Sequence, residues 1–340
     1  MNIGTGVLEV LTSGLLNGSF VAPMKRMRTW NWENSWLVYS IVGLFLIPWV
    51  AALLTVPSLP TVYAQVSHRV LLRVIVFGIG WGIGSVLFGI GVSRLGLAVG
   101  YGIILGLIAP IGTFLPLAVL HPDRLFTREG QFLIAGMVLV LTGISFLAAA
   151  GRRREHELRA GQTTTAVSTG TFFSGLVICV LAGIFSPMVN FSFVFGQELQ
   201  QKAAANGASI VMSANPVWAL TLTAGCVVNA GYCLVLLKKN GTWPLFFGAS
   251  SAGNVFGGSL MGLICFGSFM VYGMGATALG SAGGIVGWPL FMSMSLIASN
   301  ILGALGGEWG GASRRAWSYS VAGIMVLIVA ILVISRGNHS

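Results

Sequence analysis

Ten long apolar runs constrain this 340-residue chain more than any other feature it has. They cover roughly residues 4–23, 35–56, 71–92, 97–119, 131–150, 169–190, 211–237, 248–271, 277–303 and 316–335. About twenty apolar residues carry a helix across the hydrocarbon of a bilayer, where every backbone N–H and C=O must be paired within the segment. The runs are too long and too continuously apolar for the alternating strands of a membrane barrel. The fold class is therefore an all-α polytopic membrane protein with ten transmembrane helices. Charged residues are 8% of the chain, against about 25% in an ordinary soluble protein. The 48 glycines suit helices whose backbones approach closely.

The formal net charge of +10 would suggest nucleic acid as a partner of a soluble protein. Here the basic residues fall in the breaks between apolar runs, where they read as topology signals facing lipid headgroups. With the N-terminus outside, breaks 24–34, 93–96, 151–168, 238–247 and 304–315 face the cytoplasm and hold 12 of the 18 Lys and Arg residues. That bias predicts both termini outside the cytoplasm, in the periplasm if the source is Gram-negative. The first break is a collar. Pro23 closes segment one, Lys25, Arg26 and Arg28 hold its exit, and Trp30, Trp32 and Trp36 suit the headgroup layer. Glu33 caps the incoming segment two. Anchoring and gating are both open for this collar.

Ten segments divide into five and five, and the halves echo each other. Ser13-Gly14-Leu15 returns as Ser174-Gly175-Leu176, and Gly18 to Met24 returns, with one deletion, as Gly183 to Met188. The short joint SRLGLAVG at 93–100 corresponds to TALGSAGG at 277–284. The expected halves are residues 1–160 and 161–340. An odd number of helices per half makes the second half enter the membrane from the other side, and inverted repeats are an architecture of secondary transporters. Glycines 78, 80, 82, 84, 89 and 91 are expected to form one close-packed helix surface, continued by Gly100, Gly102 and Gly106.

Polar groups inside the apolar runs are the candidate chemistry. Glu9 is the acidic residue placed within a membrane segment, where a carboxylate must be protonated, paired or wetted, so it is the proton-coupling candidate. Asn17 shares roughly one helix face with it. Asn190, Asn215, Asn254 and Asn300, with Asn229, offer amides that both donate and accept, as sugar hydroxyls do. Asn215-Pro216 marks an expected break in segment seven. Trp81, Tyr101, Trp218 and Trp288 are rings on which a sugar could stack. Gln197 and Glu198, in FGQELQQK, extend segment six and are candidates for closing the outer entrance, and Glu308 is a further gating or anchoring candidate. Against each of these stands ordinary helix packing. The four cysteines, at 179, 226, 233 and 265, form no CxxC pair, and the four histidines form no metal cluster. No metal or cofactor is expected. No paired intramembrane acids, H-E-x-x-H or G-x-S-x-G motif points to an enzyme.

The combination resembles the L-rhamnose–proton symporter family, within the drug/metabolite transporter superfamily. The resemblance spans nearly the whole chain. It rests on Phe20, Ala22-Pro23, Lys25, Trp30-x-Trp32-Glu33 and Trp36, on Trp81-Gly82-Ile83-Gly84 and on the Leu95-Gly96 joint. The second half contributes Gly183-Ile184-Phe185-Ser186, Trp288, Glu308-Trp309, Gly311 and Arg314-Arg315. It implies two inverted five-helix repeats, proton-coupled uptake of L-rhamnose or a close deoxysugar by alternating access, and a cavity between helices one, three, four, six, eight and nine. The implied partners are a small neutral sugar, protons and the bilayer. An exporter of hydrophobic metabolites and a non-transporting sugar sensor are the alternatives. Two departures stand out. The family's enterobacterial pattern has histidine near the position of Glu9, and its approach to Trp288 carries an acidic residue where this chain has Ser281 to Gly287 without one.

Overall fold

The computed structural model of the protein describes residues 3–159 and 169–337. The boundary drawn between halves at residue 160 lies outside them. Ten helical spans are long and apolar enough to cross a membrane among the described residues: α1 Ile3–Arg26, α2 Trp32–Thr55, α3 His68–Leu95, α4 Val99–Leu120, α5 Arg128–Glu157, α6 Phe172–Ala205, α7 Ile210–Asn240, α8 Ser251–Ala278, α9 Gly283–Leu305 and α10 Arg314–Gly337. The ten-helix membrane fold is therefore as read from the apolar runs.

Several boundaries move, for local reasons. α8 runs on to Ala278 and α9 starts at Gly283, because a turn with Gly280 at φ +88° intervenes. Only glycine takes such a φ without strain. Segment six continues well past residue 190 as three stacked pieces, ending Thr169–Phe185, Met188–Phe195 and Gln197–Ala205. Pro187 lacks an N–H and interrupts the ladder, while Gly196 N-caps the polar third piece. The Asn215-Pro216 pair starts the main helix of span seven rather than breaking it, since proline's missing donor costs nothing in the first turn. In α2, residues Ser40–Leu46 widen into a π-helical stretch ahead of Pro48. The Ser40 carbonyl there accepts from the Cys226 thiol at 3.3 Å.

The helices pair across the chain. α1 packs on α8 and α9, α3 on α6 and α7, α2 on α7 and α8, α4 on α6 and α9, and α5 on α10. The expected single glycine surface on α3 is two surfaces. A Cβ at Gly78 or Gly82 would press on Thr221 or Gly225 of α7, whereas one at Gly84 or Gly91 would press on Ser186 or Cys179 of α6. At about 100° per residue, positions two apart point to nearly opposite sides of a helix.

The breaks gather at two ends. At one, Trp30 donates its indole N–H to Leu245 O at 2.9 Å, Asn34 to Thr242 O at 3.0 Å and Asn254 to Arg28 O at 2.7 Å. Glu157 accepts from the Ser313 backbone and hydroxyl there. These are the breaks that carry most of the basic residues, so this is the basic end. At the opposite end, Asn215 donates to Thr55 Oγ1 at 2.8 Å and Tyr63 to Pro216 O at 3.0 Å. Burial pushes the Tyr63 phenol above its ordinary range, which keeps it a donor.

Candidate functional site

The sequence candidates separate into a buried lattice, two sets of end clasps and a vestibule. The lattice begins with proline chemistry in α4. Pro116 has no N–H, so the carbonyl four residues before it, Gly112 O, lacks its helical donor. Asn190, fully buried in the middle piece of α6, supplies one at 3.1 Å. The same amide donates to Gly284 O in the first turn of α9 at 2.9 Å. Its Oδ1 accepts from the Tyr272 hydroxyl of α8 at 2.7 Å, and that hydroxyl also lies 3.0 Å from Gly284 O. One side chain thus joins α4, α6, α8 and α9, with its hydrogen-bonding capacity used on protein.

Trp288 belongs to the same lattice. Its indole donates to Ile108 O at 3.2 Å and its ring stacks on Phe291 with centroids 5.5 Å apart. A Cβ at Gly112 would overlap its Nε1. Trp218 is 1% exposed and stacks on Phe193 at 5.4 Å. Trp81 meets Phe269 edge-on at 5.8 Å and lies over Gly225. These residues pack and orient helices, and none of them lines the vestibule below. The sequence reading missed Tyr272. Its signal was a lone phenol in an otherwise apolar, glycine-flanked run.

Removing the Asn190 amide leaves Gly112 O without a donor and Tyr272 with one acceptor fewer. Leaving a buried polar group unsatisfied costs about 1–3 kcal/mol. Asn190→Leu is therefore expected to lower the unfolding midpoint of the purified protein by several degrees in a thermal scan, while Asn300→Leu leaves it near wild type. An unchanged midpoint for Asn190→Leu would remove the lattice assignment.

The clasps tie span ends together. Glu33, 4% exposed, accepts from Asn240 at 3.0 Å and Thr242 at 2.9 Å, so it links the start of α2 to the end of α7. Trp32 stacks on Trp36 at 5.0 Å, and the Trp36 indole turns inward to Asn229 Oδ1 at 3.0 Å rather than outward. Glu198 sits at the start of α3. Its Oε1 accepts the Ser67 N–H at 2.7 Å and its Oε2 the Ser67 hydroxyl at 2.9 Å. A carboxylate at a helix N-terminus satisfies a free donor and faces the positive end of the dipole. Gln197 reaches Ser281 O in the α8–α9 turn at 3.5 Å.

The vestibule opens at the basic end, between α1, α4, α5 and α9. It holds about 290 Å³, near the lower bound for a small-molecule site. It is not the cavity the resemblance implies, since α3, α6 and α8 do not line it and α5 does. Its polar groups are Tyr101, Ser299 and Asn300 on the walls, and Lys25, Arg154 and Glu308 toward the mouth. Lys25 and Glu308 form an ion pair, Arg154 Nη1 lies 4.0 Å from Glu308 Oε2, and the Arg154 guanidinium sits 5.6 Å over the Trp309 ring. The sequence marks Arg154 only as one of the basic residues of the break 151–168. Arg26 is exposed beside this cluster and lines none of it.

Two candidates on α1 complete the picture. Asn17 donates to Ser295 Oγ at 3.2 Å, next to the vestibule residue Gly18. Glu9 lies about 12 Å farther along the helix from Asn17, at 1.5 Å per residue. It is half-buried, and its Oε2 is buried with no hydrogen-bond partner. Among the described residues no group of His, Cys, Asp and Glu could hold a metal ion.

A ten-helix membrane bundle with a polar vestibule at one end, and a half-buried carboxylate on α1 whose Oε2 has no hydrogen-bond partner, belongs to the class of membrane transporters. Residues 2–340 match the family described as L-rhamnose-proton symport protein (RhaT), and the chain belongs to that family. The L-rhamnose-proton symporter of Cronobacter sakazakii (strain ATCC BAA-894) is 30% identical over 342 residues, covering 98% of each chain. Those of Escherichia coli O157:H7 and Shigella boydii serotype 18 are each 29% identical over the same length and coverage. At the level of the family, the chain is a proton-coupled symporter of the drug/metabolite transporter superfamily. It is a multi-pass protein of the bacterial inner membrane.

Proposed function

We propose that this chain takes up L-rhamnose, or a closely related deoxysugar, together with protons by alternating access. The observation that carries the reading is the match to the symporter family along residues 2–340. The vestibule supports it, with the Tyr101 ring, the Tyr101 and Ser299 hydroxyls and the Asn300 amide on its walls and a charge cluster at its mouth. The sugar lies against Tyr101, with Ser299 and Asn300 as partners for its hydroxyls. Glu9 carries the proton, and Asn17 lies between the two on α1.

Inverted halves, residues 1–160 and 161–340, account for the helix pairing. If α1 corresponds to α6, α2 to α7 and so on, the contact of α1 with α8 has its counterpart in α6 with α3. Likewise α2 with α8 mirrors α7 with α3, and α1 with α9 mirrors α6 with α4. With both termini outside, the basic end faces the cytoplasm and the present arrangement is inward-open. The Asn190–Tyr272–Gly284 lattice and the Gln197 and Glu198 clasps close the other route. They must part for the outward-open state. Coupling follows if proton and sugar each favour reorientation more strongly together than apart.

The test is uptake of labelled L-rhamnose into sealed proteoliposomes under an imposed inward proton gradient. Accumulation that disappears when the gradient is collapsed is the expected result. Absence of accumulation in vesicles holding correctly inserted protein overturns L-rhamnose as substrate. Binding without movement points to a sensor, and gradient-driven loss of a preloaded apolar metabolite to an exporter.

A further inference from the structure

A second cavity, larger than the vestibule, lies on the outer flank of the bundle. It is a groove of about 930 Å³ between α4, α5 and α10. Its bed is Gly102, Ile103, Gly106, Leu141, Ile144 and Ala148. Its basic end carries Arg152, Arg153 and His156. The bed is apolar and the head is cationic, which is the polarity of a phospholipid reversed in charge.

Length and charge agree on the occupant. From Leu141 to His156 the groove follows α5 for about 22 Å at 1.5 Å per residue. One leaflet of a bilayer, half of about 40–45 Å with its headgroups, has the same depth. Glu157 also reaches the head, but its carboxylate accepts from Arg153 Nε at 3.2 Å and from Ser313. Arg152 is exposed and makes no ion pair or side-chain hydrogen bond among the described residues. A guanidinium at headgroup depth without an acid partner is suited to a phosphate, which it can hold in a bidentate manner. Basic pockets between helices on the cytoplasmic side take acidic headgroups for this reason.

We propose that the groove between α4, α5 and α10 is a binding site for an anionic phospholipid of the cytoplasmic leaflet, with its phosphate on Arg152 and Arg153 and an acyl chain along Gly102 and Gly106. The site adjoins the vestibule. Gly102, Ile144 and Ala148 line both cavities, so the lipid groove and the sugar route share a boundary on α4 and α5. The bound lipid braces α5, whose Arg154 faces the vestibule on the other side.

The test reads lipid and not transport, so its result is independent of the sugar. The full chain, purified in detergent, is titrated with phosphatidylglycerol or phosphatidylcholine and examined by native mass spectrometry. The wild type is expected to retain phosphatidylglycerol at least about fivefold better. Arg152→Gln and the double variant Arg152→Gln/Arg153→Gln bring that preference toward parity, whereas Lys238→Gln/Lys239→Gln, exposed at the same end, preserves it. Gly106→Phe, which has open space at its Cβ, fills the groove and weakens retention of both lipids without changing charge. Equal retention of the two lipids by the wild type overturns the proposal, as does an undiminished preference in the Arg152 variants. Competition by soluble glycerol phosphate at concentrations matching the lipid overturns it in favour of a free-anion site.

Discussion

Glu9→Gln is expected to abolish gradient-driven accumulation of the sugar while leaving exchange of labelled for unlabelled sugar across the vesicle membrane. Glutamine keeps the length and volume of glutamate, so α1 packs as before. What it lacks is a group that can gain and lose a proton. The Glu9 Oε2 is buried without a hydrogen-bond partner, and among the described residues no ion pair holds a permanent charge on this carboxyl. A carboxyl in that setting has to take up a proton or meet water during the cycle. Accumulation, measured as the ratio of internal to external label under an imposed gradient, should fall at least about tenfold toward one. Sugar-dependent proton entry, followed with an internal pH dye, should fall with it. Glu9→His retains a titratable group and is expected to keep coupling, with a different dependence on pH. Wild-type accumulation in Glu9→Gln would show that the proton travels elsewhere. The next residues to test would then be Glu308 and its partners Lys25 and Arg154.

That separation of Glu9 from the vestibule could not be read from the sequence. The apolar runs gave the spans because a helix must satisfy its own backbone in hydrocarbon, and that demand is local. The grouping of the breaks into two ends followed from Lys25, Arg94, Lys238 and Arg314 for the same kind of reason, since charge placement is a property of each loop. Pairing across the bundle is not local. Asn190 read as a sugar ligand because its amide is intramembrane. Its partners, Gly112, Tyr272 and Gly284, come from three other helices, and the need for it arises from Pro116, far away in sequence. Glu198 read as an outer gate, and only the proximity of Ser67 shows that its carboxylate caps the start of α3. The glycines of α3 were counted together because they are close in sequence, while helical geometry sends them to two different neighbours. Asn300 and Tyr101, by contrast, were singled out by their chemistry alone, and both line the vestibule.

The second large effect concerns the crossing of α2 and α8, where Gly43→Val is expected to prevent the protein from folding into a monodisperse species. The two backbones touch there. A Cβ at Gly43 would overlap the Gly262 Cα, and one at Gly262 would sit 2.7 Å from the Gly43 nitrogen. In both directions the obstacle is main chain, which cannot step aside by changing rotamer. Overpacking of an ordinary core costs about 1–3 kcal/mol because side chains and backbone shift together. Here two helices must separate, and with them the Ser40–Leu46 stretch whose Ser40 carbonyl is held by Cys226. Close approach of small residues is what holds membrane helices together in the absence of a hydrophobic difference from lipid, so separation also removes the packing around the crossing. Gly43→Ala should lower the unfolding midpoint sharply, and Gly262→Ala as well. The double variant should cost less than the two single changes summed, since one separation of the helices relieves both overlaps. Gly231 and Gly267 provide the contrast, because a Cβ at either meets nothing within 4 Å. Alanine at those two positions is expected to be neutral or to stabilise by about 0.5–1 kcal/mol, the usual gain when a helical glycine loses backbone freedom in the unfolded chain. If Gly43→Ala and Gly231→Ala behave alike in size-exclusion and thermal scans, the α2–α8 crossing is not the tight contact described. The glycines would then have to be explained by motion rather than by packing.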